Sequence, residues 1–331
     1  MLDIISIGDS TLDVFLTLNN EEAEVKCTIN EKECQLCLDY ADKIPVESVI
    51  KVPGAGNASN NTVGSSRLGL KSAIVSILGK DDVGDMTMAH WKREGVGTKY
   101  VTRDPKHGTN YSTVLNFHGE RTILVYHEPR TYRFPKGLPA AGWLYYTSLG
   151  KGSEVMHKDL LAYLKRSKAK FCFQPGTHQL LLGLKAVAPL IEASHVTVMN
   201  KEEAERLLET GVQSMPELLK HLRALGCEIA LITDGAKGAY SYDGAEMLEM
   251  PIMDVPPVER TGCGDAFATA FVAALHLGKP VSEALRWGTA NSASVLGYTG
   301  PQAGLLKMAG MKKFLSLFKD VVARPIDGAA H

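Results

Sequence analysis

The strongest constraint on the fold is a regular alternation of short apolar segments with helical segments over residues 142–233. The apolar segments read GWLYYTSL, AKFCFQ, HVTVMN and EIALIT, and helical patterns over 153–167, 201–210 and 214–225 lie among them. Strands that alternate with helices form a mostly parallel sheet with helices on both faces. We therefore predict an α/β fold with a mostly parallel central sheet.

Two segments depart from this alternation. Residues 14–52 contain short β-rich pieces with charged separators, and residues 99–130 contain YSTVLNF and GERTILVYH, which predict a hairpin with its turn at 118–120. Such pieces are typical of a small, half-exposed sheet. The chain has 331 residues and no internal repeat or linker. We predict one domain, 1–331, with 14–52 and 99–130 as approximate segments of a β lid.

Charge and composition limit the kinds of molecule that the protein is expected to bind. The formal net charge is −1, from 36 basic and 37 acidic residues, and no long run of like charge indicates a nucleic-acid or membrane surface. The start, MLDIISIGDS, does not resemble a signal peptide, and no apolar segment reaches the length of a membrane span. A cytoplasmic protein that binds a small molecule is the expectation.

Six cysteines are too few for a disulfide framework, and cytosolic thiols are normally reduced. Cys34 and Cys37 form a C-x-x-C pair with Cys27 nearby, but no second pair with zinc-finger spacing follows. We expect reduced, inert thiols.

The segment TGCGDAF marks the start of a helix. After it, apolar residues recur at helical spacing, so Gly262, Cys263, Gly264 and Asp265 occupy the first turn. Backbone N–H groups there lack helical partners, and small residues let a phosphate approach them. Asp265 beside such an anion could accept the proton of an attacking hydroxyl. The alternative is an aspartate that only caps a core helix.

Two further segments offer groups that bind hydroxyls. In GAGNASNN, Gly56 permits a close backbone approach, and Asn57 and Asn60 carry amides that both donate and accept hydrogen bonds. In TLD, Asp13 is predicted to end the first strand, at the edge of the sheet where ligands bind in α/β folds. The alternative for one asparagine is a turn or cap role.

Two strand-to-helix or strand-to-turn junctions could contact a nucleotide. In VMNKEE, Asn200 and Glu203 share one helical turn and could face phosphates and hydrated Mg²⁺, or could form a capping box. In ITDGAKGA, Thr233, Gly235 and Gly238 suit a close nucleotide contact or a hairpin turn.

Taken in this order, the four segments resemble the ribokinase family of carbohydrate kinases, also called the PfkB family. RTGCGDAFATAF resembles its C-terminal signature, GAGNASNNTVGSSRLG with GKDDVGD its N-terminal one, NKEE its N-x-x-E motif and TDGAKGA its nucleotide turn. The resemblance extends over residues 1 to about 304 and is weakest in the lid. It implies a ribokinase-like, Rossmann-like three-layer fold and ATP-dependent phosphorylation of a sugar hydroxyl.

The resemblance also implies roles. Asp265 is the base, and the amides of Gly262, Cys263 and Gly264 stabilise the transferred γ-phosphoryl group. Asn200 and Glu203 organise the phosphates and Mg²⁺ through water. The residues implied to contact the acceptor are Asp13, Gly56, Asn57, Asn60 and Arg130, and those implied to surround the nucleotide are Asn200, Glu203, Thr233, Gly235, Gly238 and Asn291. Lids of this family often pair into homodimers.

The chain departs from the family pattern at one point that matters. Glu259 and Arg260 stand where the family usually has Asp-Thr, in a region that helps form a monovalent-cation site, so activation by such a cation is not expected. Arg130 lies in YHEPRTYRFP, where an arginine could meet an anionic acceptor. A nucleoside kinase, with lid aromatics around a base, stays open, as do ADP as donor and a catalytically silent regulator on the same fold.

Overall fold

The computed structural model describes residues 1–19, 21–28, 34–209, 211 and 214–326. Its strands, numbered in chain order, are β1 (Leu2–Ile7), β2 (Thr11–Leu18), β3 (Ala23–Cys27), β4 (Cys34–Leu38), β5 (Val46–Ala55), β6 (Ser72–Gly79), β7 (Gly97–Asp104), β8 (Asn110–Phe117), β9 (Glu120–Tyr126), β10 (Ala141–Tyr146), β11 (Lys170–Phe173), β12 (Val196–Asn200), β13 (Ile229–Thr233), β14 (Ala239–Tyr242), β15 (Met247–Met250) and β16 (Arg324–Pro325).

The helices flank these strands as the sequence alternation predicts. Numbered in the same way, they are α1 (Asn57–Arg67), α2 (Asp82–Arg93), α3 (His157–Ser167), α4 (Thr177–Leu181), α5 (Leu184–Glu192), α6 (Lys201–Leu208), α7 (Met215–Ala224), α8 (Cys263–His276), α9 (Val281–Leu296) and α10 (Met308–Leu317). Each helix within the described residues is too short or too polar to span a lipid bilayer.

The central sheet has the strand order β16-β15-β14-β13-β12-β11-β10-β1-β6-β7. From β13 to β7 all neighbours are parallel, and β14, β15 and β16 extend the sheet in antiparallel pairs. The predicted α/β class and mostly parallel sheet are confirmed. Because all parallel strands end at one edge of the sheet, the loops that follow them meet there and can build one site.

Two apolar layers cover the sheet. Successive strand residues point to opposite faces, so Ile4 packs under α8, α9 and α10 while Ile5 and Ile7 pack under α3, α5, α6 and α7. Helix α8 is buried on every side over Asp265–Ala274 and packs closely against α9. Because α8 is packed on all sides, its N-terminus is held in a fixed position at the edge of the sheet.

A second sheet of four strands, in the order β5-β2-β8-β9, contains most of the segments predicted as a lid, and we refer to it as the lid. Two sequence expectations about it need correction. The first strand of the chain ends at Ile7, and Asp13 lies inside β2, a lid strand, because Gly8, Asp9 and Ser10 turn the chain out of the central sheet. Residues 99–104, predicted as lid, lie in β7 of the central sheet, so the second lid segment begins at β8.

The lid also carries a two-stranded hairpin of β3 and β4, in which Cys27 and Cys34 form a disulfide. The expectation of reduced thiols is wrong for this pair, because only the strand register shows that the two residues lie opposite each other. The remaining cysteines are free. Burial raises the pKa of the Cys227 and Cys263 thiols to about 11, which makes both poor nucleophiles.

Candidate active site

The N-terminus of α8 has the form predicted for an anion site. Gly262 caps the helix with φ 81°, and a β-carbon there would collide with Pro301. A β-carbon on Gly264 would meet no atom within 4 Å, so this face of the first turn is open. The backbone N–H of Cys263 makes only a long bond, 3.4 Å, to the carbonyl of Arg260. The turn therefore presents backbone amides and the positive end of the helix dipole to an open face.

Asp265 follows in the first turn of α8 and is 9% exposed. The Asn60 side chain donates to Oδ2 at 2.8 Å, and the Gln174 side chain donates to Oδ1 at 3.3 Å. Burial raises the pKa of Asp265 to about 6, and the two amide hydrogen bonds oppose that rise. The carboxylate is thus oriented by two donors and is mostly ionised at neutral pH.

Both amide donors are themselves held in place. Gln302 donates from Nε2 to the Asn60 side-chain oxygen at 2.9 Å, which fixes the direction of the Asn60 amide. The Tyr145 hydroxyl donates to the Gln174 side-chain oxygen in the same way. Our sequence analysis missed Gln174 and Gln302. Gln174 directly follows β11, and its position at the end of a parallel strand is the signal that could have found it.

Asp13, in lid strand β2, is also close to Asp265. It is 8% exposed, and burial raises the pKa of its carboxyl to about 7, against a hydrogen bond from Ser112. The negative charges of Asp265 and Glu259 raise this pKa further, so both carboxyls lie within electrostatic range of Asp13. Asp13 therefore approaches Asp265 from β2, although the sequence analysis placed it at the end of the first strand.

Gly56 and Asn57 begin α1 beside this group. Gly56 has φ 97°, and a β-carbon there would come within 2.8 Å of the Asp9 carbonyl oxygen, so only glycine fits without strain. Asn57 is the first residue of the helix and is half-buried, whereas Asn60, one turn later, is buried and points to Asp265. Gly56 thus lets the chain turn so that α1 presents its asparagines to the site.

Arg130 does not lie on a solvated loop. Its side chain is 1% exposed, its Nη1 lies 3.6 Å from an Asp104 carboxylate oxygen, and its Nη2 donates to the Gly108 carbonyl at 2.5 Å. The charge of Arg130 therefore lies close to a carboxylate of the protein, but its buried Nε and Nη1 have no hydrogen-bond partner within the described residues. The predicted contact between Arg130 and the acceptor stays a prediction.

The predicted nucleotide residues fall into two groups. Asn200 ends β12 and pairs in register with Thr233 at the end of β13, so both lie at the edge where the parallel strands end. Asn200 and Glu203 form a capping box, with bonds of 2.8 Å in each direction. Burial raises the pKa of Glu203, the bond from Asn200 opposes this, and the Asp265 charge raises it again. Glu203 therefore lies within electrostatic range of Asp265.

The other nucleotide candidates, Gly235, Gly238 and Asn291, shape a turn or make hydrogen bonds within the fold. Gly235 and Gly238 shape the turn from β13 to β14, and Gly238 packs against the Met250 carbonyl with φ 97°. Asn291 is fully buried; it donates to the Ala266 carbonyl and accepts from the backbone N–H of Leu306. Each end of its amide thus makes one hydrogen bond inside the protein, and a contact of Asn291 with the nucleotide stays a prediction.

No group of three or more histidine, cysteine, aspartate or glutamate side chains suited to a metal ion occurs within the described ranges. Magnesium in phosphotransferases is commonly held by one or two carboxylates together with the substrate phosphates and water.

Comparison with solved structures identifies the fold. Ribokinase from Thermotoga maritima superposes with a TM-score of 0.75 at 19% identity, covering 96% of this chain and 100% of that one. A nucleoside kinase of the ribokinase family from Methanocaldococcus jannaschii superposes with a TM-score of 0.76 at 17% identity, covering 96% and 99%. These likenesses show that the fold is ribokinase-like.

Sequence comparison then gives the family. Residues 21–308 match the family model described as pfkB family carbohydrate kinase, and the chain belongs to that family. Similar curated proteins include a fructokinase from Vibrio alginolyticus, 26% identical over 81% of this chain and 93% of its own length. A ribokinase from Staphylococcus aureus is 24% identical over 91% and 96%. The protein is thus a carbohydrate or nucleoside kinase, a phosphotransferase that acts on a hydroxyl group.

Proposed function

We propose that this protein transfers the γ-phosphoryl group of ATP to a hydroxyl of a small sugar or sugar derivative, with Asp265 as the base. The observation that carries the proposal is the Asp265 carboxylate, buried, oriented by two amide donors and set in the first turn of α8 beside its exposed amides. Asp13 approaches the same point from the lid.

The chemistry follows from this arrangement. The acceptor oxygen forms a bond to the γ-phosphorus while the bond from phosphorus to the ADP oxygen breaks, and the hydroxyl proton moves to the Asp265 carboxylate. The amides of Gly262, Cys263 and Gly264 donate to the phosphoryl oxygens as negative charge builds up on them. Asp13 and Asn60 hold the acceptor hydroxyls, with Gly56 and Asn57 beside them. Closure of the lid excludes water, which limits hydrolysis of ATP.

The nucleotide lies, in this proposal, along the edge formed by Asn200, Thr233 and Gly235, with Gly238 shaping the turn. Mg²⁺ neutralises phosphate charge when bound. Glu203 fits a contact through water, because its partly buried carboxylate carries an elevated pKa that a nearby cation would lower again.

Residues in and beside the lid indicate which class of acceptor the site binds. Because Asp104 at 3.6 Å already offsets the charge of Arg130, we propose a neutral sugar rather than a sugar acid or sugar phosphate, with hydroxyls that could accept from the unpartnered Nε and Nη1. Relatives named fructokinase and ribokinase support a sugar acceptor. A nucleoside is the second candidate: Tyr111 and Tyr126 face each other across β8 and β9, are both exposed, and could pack against a base.

We also propose that two copies associate through the lid. Strand β9 lies at the edge of the lid sheet, and all seven of its residues are exposed. The exposed apolar residues on this strand are Ile123, Leu124, Val125 and Tyr126. An apolar edge strand of this kind gains from pairing with the same strand of a second copy.

The test of the kinase proposal is a coupled ADP-release assay with Mg-ATP against free sugars, sugar acids, sugar phosphates and nucleosides. We expect Asp265→Asn to lower turnover by about two to four orders of magnitude, because a positioned base is lost, while ADP binding and melting temperature stay close to wild type. Asp254→Asn, an exposed residue on the segment before α8, is the matched control and should retain full activity. Near-normal turnover in Asp265→Asn would reject Asp265 as the base.

A further inference from the structure

The loop before α8 contains a buried carboxylate outside the proposed chemistry. Glu259 is 4% exposed, and its side chain accepts hydrogen bonds from the backbone N–H of Thr261 at 2.7 Å, from the Thr261 hydroxyl and from the backbone N–H of Gly300 at 3.2 Å. These bonds hold the carboxylate three residues from Gly262, the cap of the anion site.

This position creates an electrostatic problem for a phosphate. Glu259 and Asp265 both lie within electrostatic range of Asp13, since their charges raise the pKa of Asp13. The charge of Glu259 also raises the pKa of Cys263, in the first turn of α8. A nucleotide polyphosphate would add several negative charges beside them. In a poorly solvated site, unscreened repulsion between like charges costs much more than it does in water.

The lid supplies a cation at this place. Arg121 is the second residue of β9; its side chain is 33% exposed, and its Nε lies 4.0 Å from Glu259 Oε1. Burial raises the pKa of the Cys263 thiol and the charge of Arg121 lowers it, which locates the guanidinium near the first turn of α8. A neighbouring pair, Arg260 with Glu120 at 3.0 Å, joins the same two segments but is 58% and 68% exposed.

We propose that Arg121 is a positioning residue that neutralises Glu259 and so couples the position of the lid to phosphate binding at the N-terminus of α8. The inference rests on the proposed function of that terminus. When the lid is closed, Arg121 cancels the charge that repels the phosphates. By linkage, bound nucleotide favours the closed lid by the same factor by which the closed lid favours nucleotide.

The exposed pair formed by Arg260 and Glu120 does not share this role. Exposed ion pairs are screened and contribute little, whereas a buried carboxylate left without its partner is costly. The two pairs therefore provide a test and a matched control on the same two segments of chain.

The experiment is titration calorimetry with MgADP on purified protein. Arg121→Gln should weaken binding by roughly tenfold, because the Glu259 charge is left unpaired beside the phosphates. Arg121→Gln combined with Glu259→Gln should return the affinity to within about threefold of wild type, since the repelling charge is gone and an amide of the same shape keeps accepting from Thr261. Arg260→Gln should change the affinity by less than about twofold.

Hydrogen exchange supplies the readout for lid coupling. MgADP should increase protection of the β8–β9 hairpin in wild type and should fail to do so in Arg121→Gln and in the double variant, because neither variant keeps the charge by which the closed lid favours the nucleotide. Wild-type affinity in Arg121→Gln would overturn the proposal. Equal weakness of the single and double variants would also overturn it, because Arg121 would then act on the nucleotide and not through Glu259. Normal MgADP binding with no turnover of any acceptor would count against the kinase proposal alone.

Discussion

The pKa of Asp265 reflects two opposing effects, the burial of its carboxyl and the hydrogen bonds that it accepts from two amides. Burial raises its pKa to about 6, and the hydrogen bonds from Asn60 and Gln174 oppose that rise. A base acts only in its ionised form, so turnover should fall as the pH drops through about 6.

Gln174→Leu removes one donor to the ionised carboxylate. We expect the pKa of Asp265 to rise, so the acid limb of the kcat profile should move to higher pH by roughly half to one unit. The measurement is kcat against pH from about 5 to about 9 for both proteins, which covers the titration of a carboxyl with a pKa of about 6 and the plateau above it. Because the pKa of Asp13 is about 7, Asp13→Asn should be run alongside to separate the two carboxyls. An acid limb that Gln174→Leu leaves in place would show that Gln174 does not act on the base.

At the scale of one element, the N-terminus of α8 requires glycine at position 262, because any other residue would be strained there. Gly262→Ala places a β-carbon at φ 81° against Pro301. The left-handed conformation alone costs about 1–2 kcal/mol for an L-residue, and the collision adds to this. We expect a melting temperature lower by several degrees and weakened nucleotide binding, measured by calorimetry on the same preparation.

Gly264→Ala is the matched control for this prediction. It lies in the same turn, has open space around the added methyl group, and gains helix propensity of roughly 0.5–1 kcal/mol. Its melting temperature should equal or exceed that of wild type, whatever happens to phosphate affinity. Equal loss of stability in both variants would contradict the account given for Gly262.

The β3–β4 hairpin makes a separate prediction about oxidation state. With Cys27 and Cys34 joined, a denatured sample of air-oxidised protein should titrate with four free thiols, and a reduced sample should titrate with all six cysteines. The hairpin is exposed and lies outside the central sheet, so Cys27→Ser should leave the melting temperature of the main domain nearly unchanged. Six free thiols in the oxidised sample would exclude the disulfide.

At the scale of the whole molecule, the exposed lid edge predicts self-association. Leu124→Lys introduces a charge on β9, where Leu124 is 57% exposed, and charged residues on an edge strand block pairing with another copy. We expect light scattering to give a dimer for wild type and a monomer for this variant, with unchanged melting of the main domain. A wild-type monomer at assay concentrations would remove the dimer proposal.

The features that depend on local sequence pattern could be predicted without the structure. The alternation of strands and helices predicted the parallel sheet, and the glycines before an apolar run with helical spacing predicted where α8 begins. These predictions succeeded because hydrophobic periodicity and helix-terminus chemistry act over a few residues.

Contacts between residues far apart in the sequence could not be predicted in this way. Asn60 donates to Asp265 across 205 positions of sequence, Gln174 across 91, and Arg121 reaches Glu259 from a strand of the lid. The same holds for Asp13, which a turn at Gly8–Ser10 moves from the central sheet into the lid, and for Cys27, whose partner depends on hairpin register. Such contacts arise from the packing of whole elements, and the pKa of a carboxyl depends on how deeply that packing buries it.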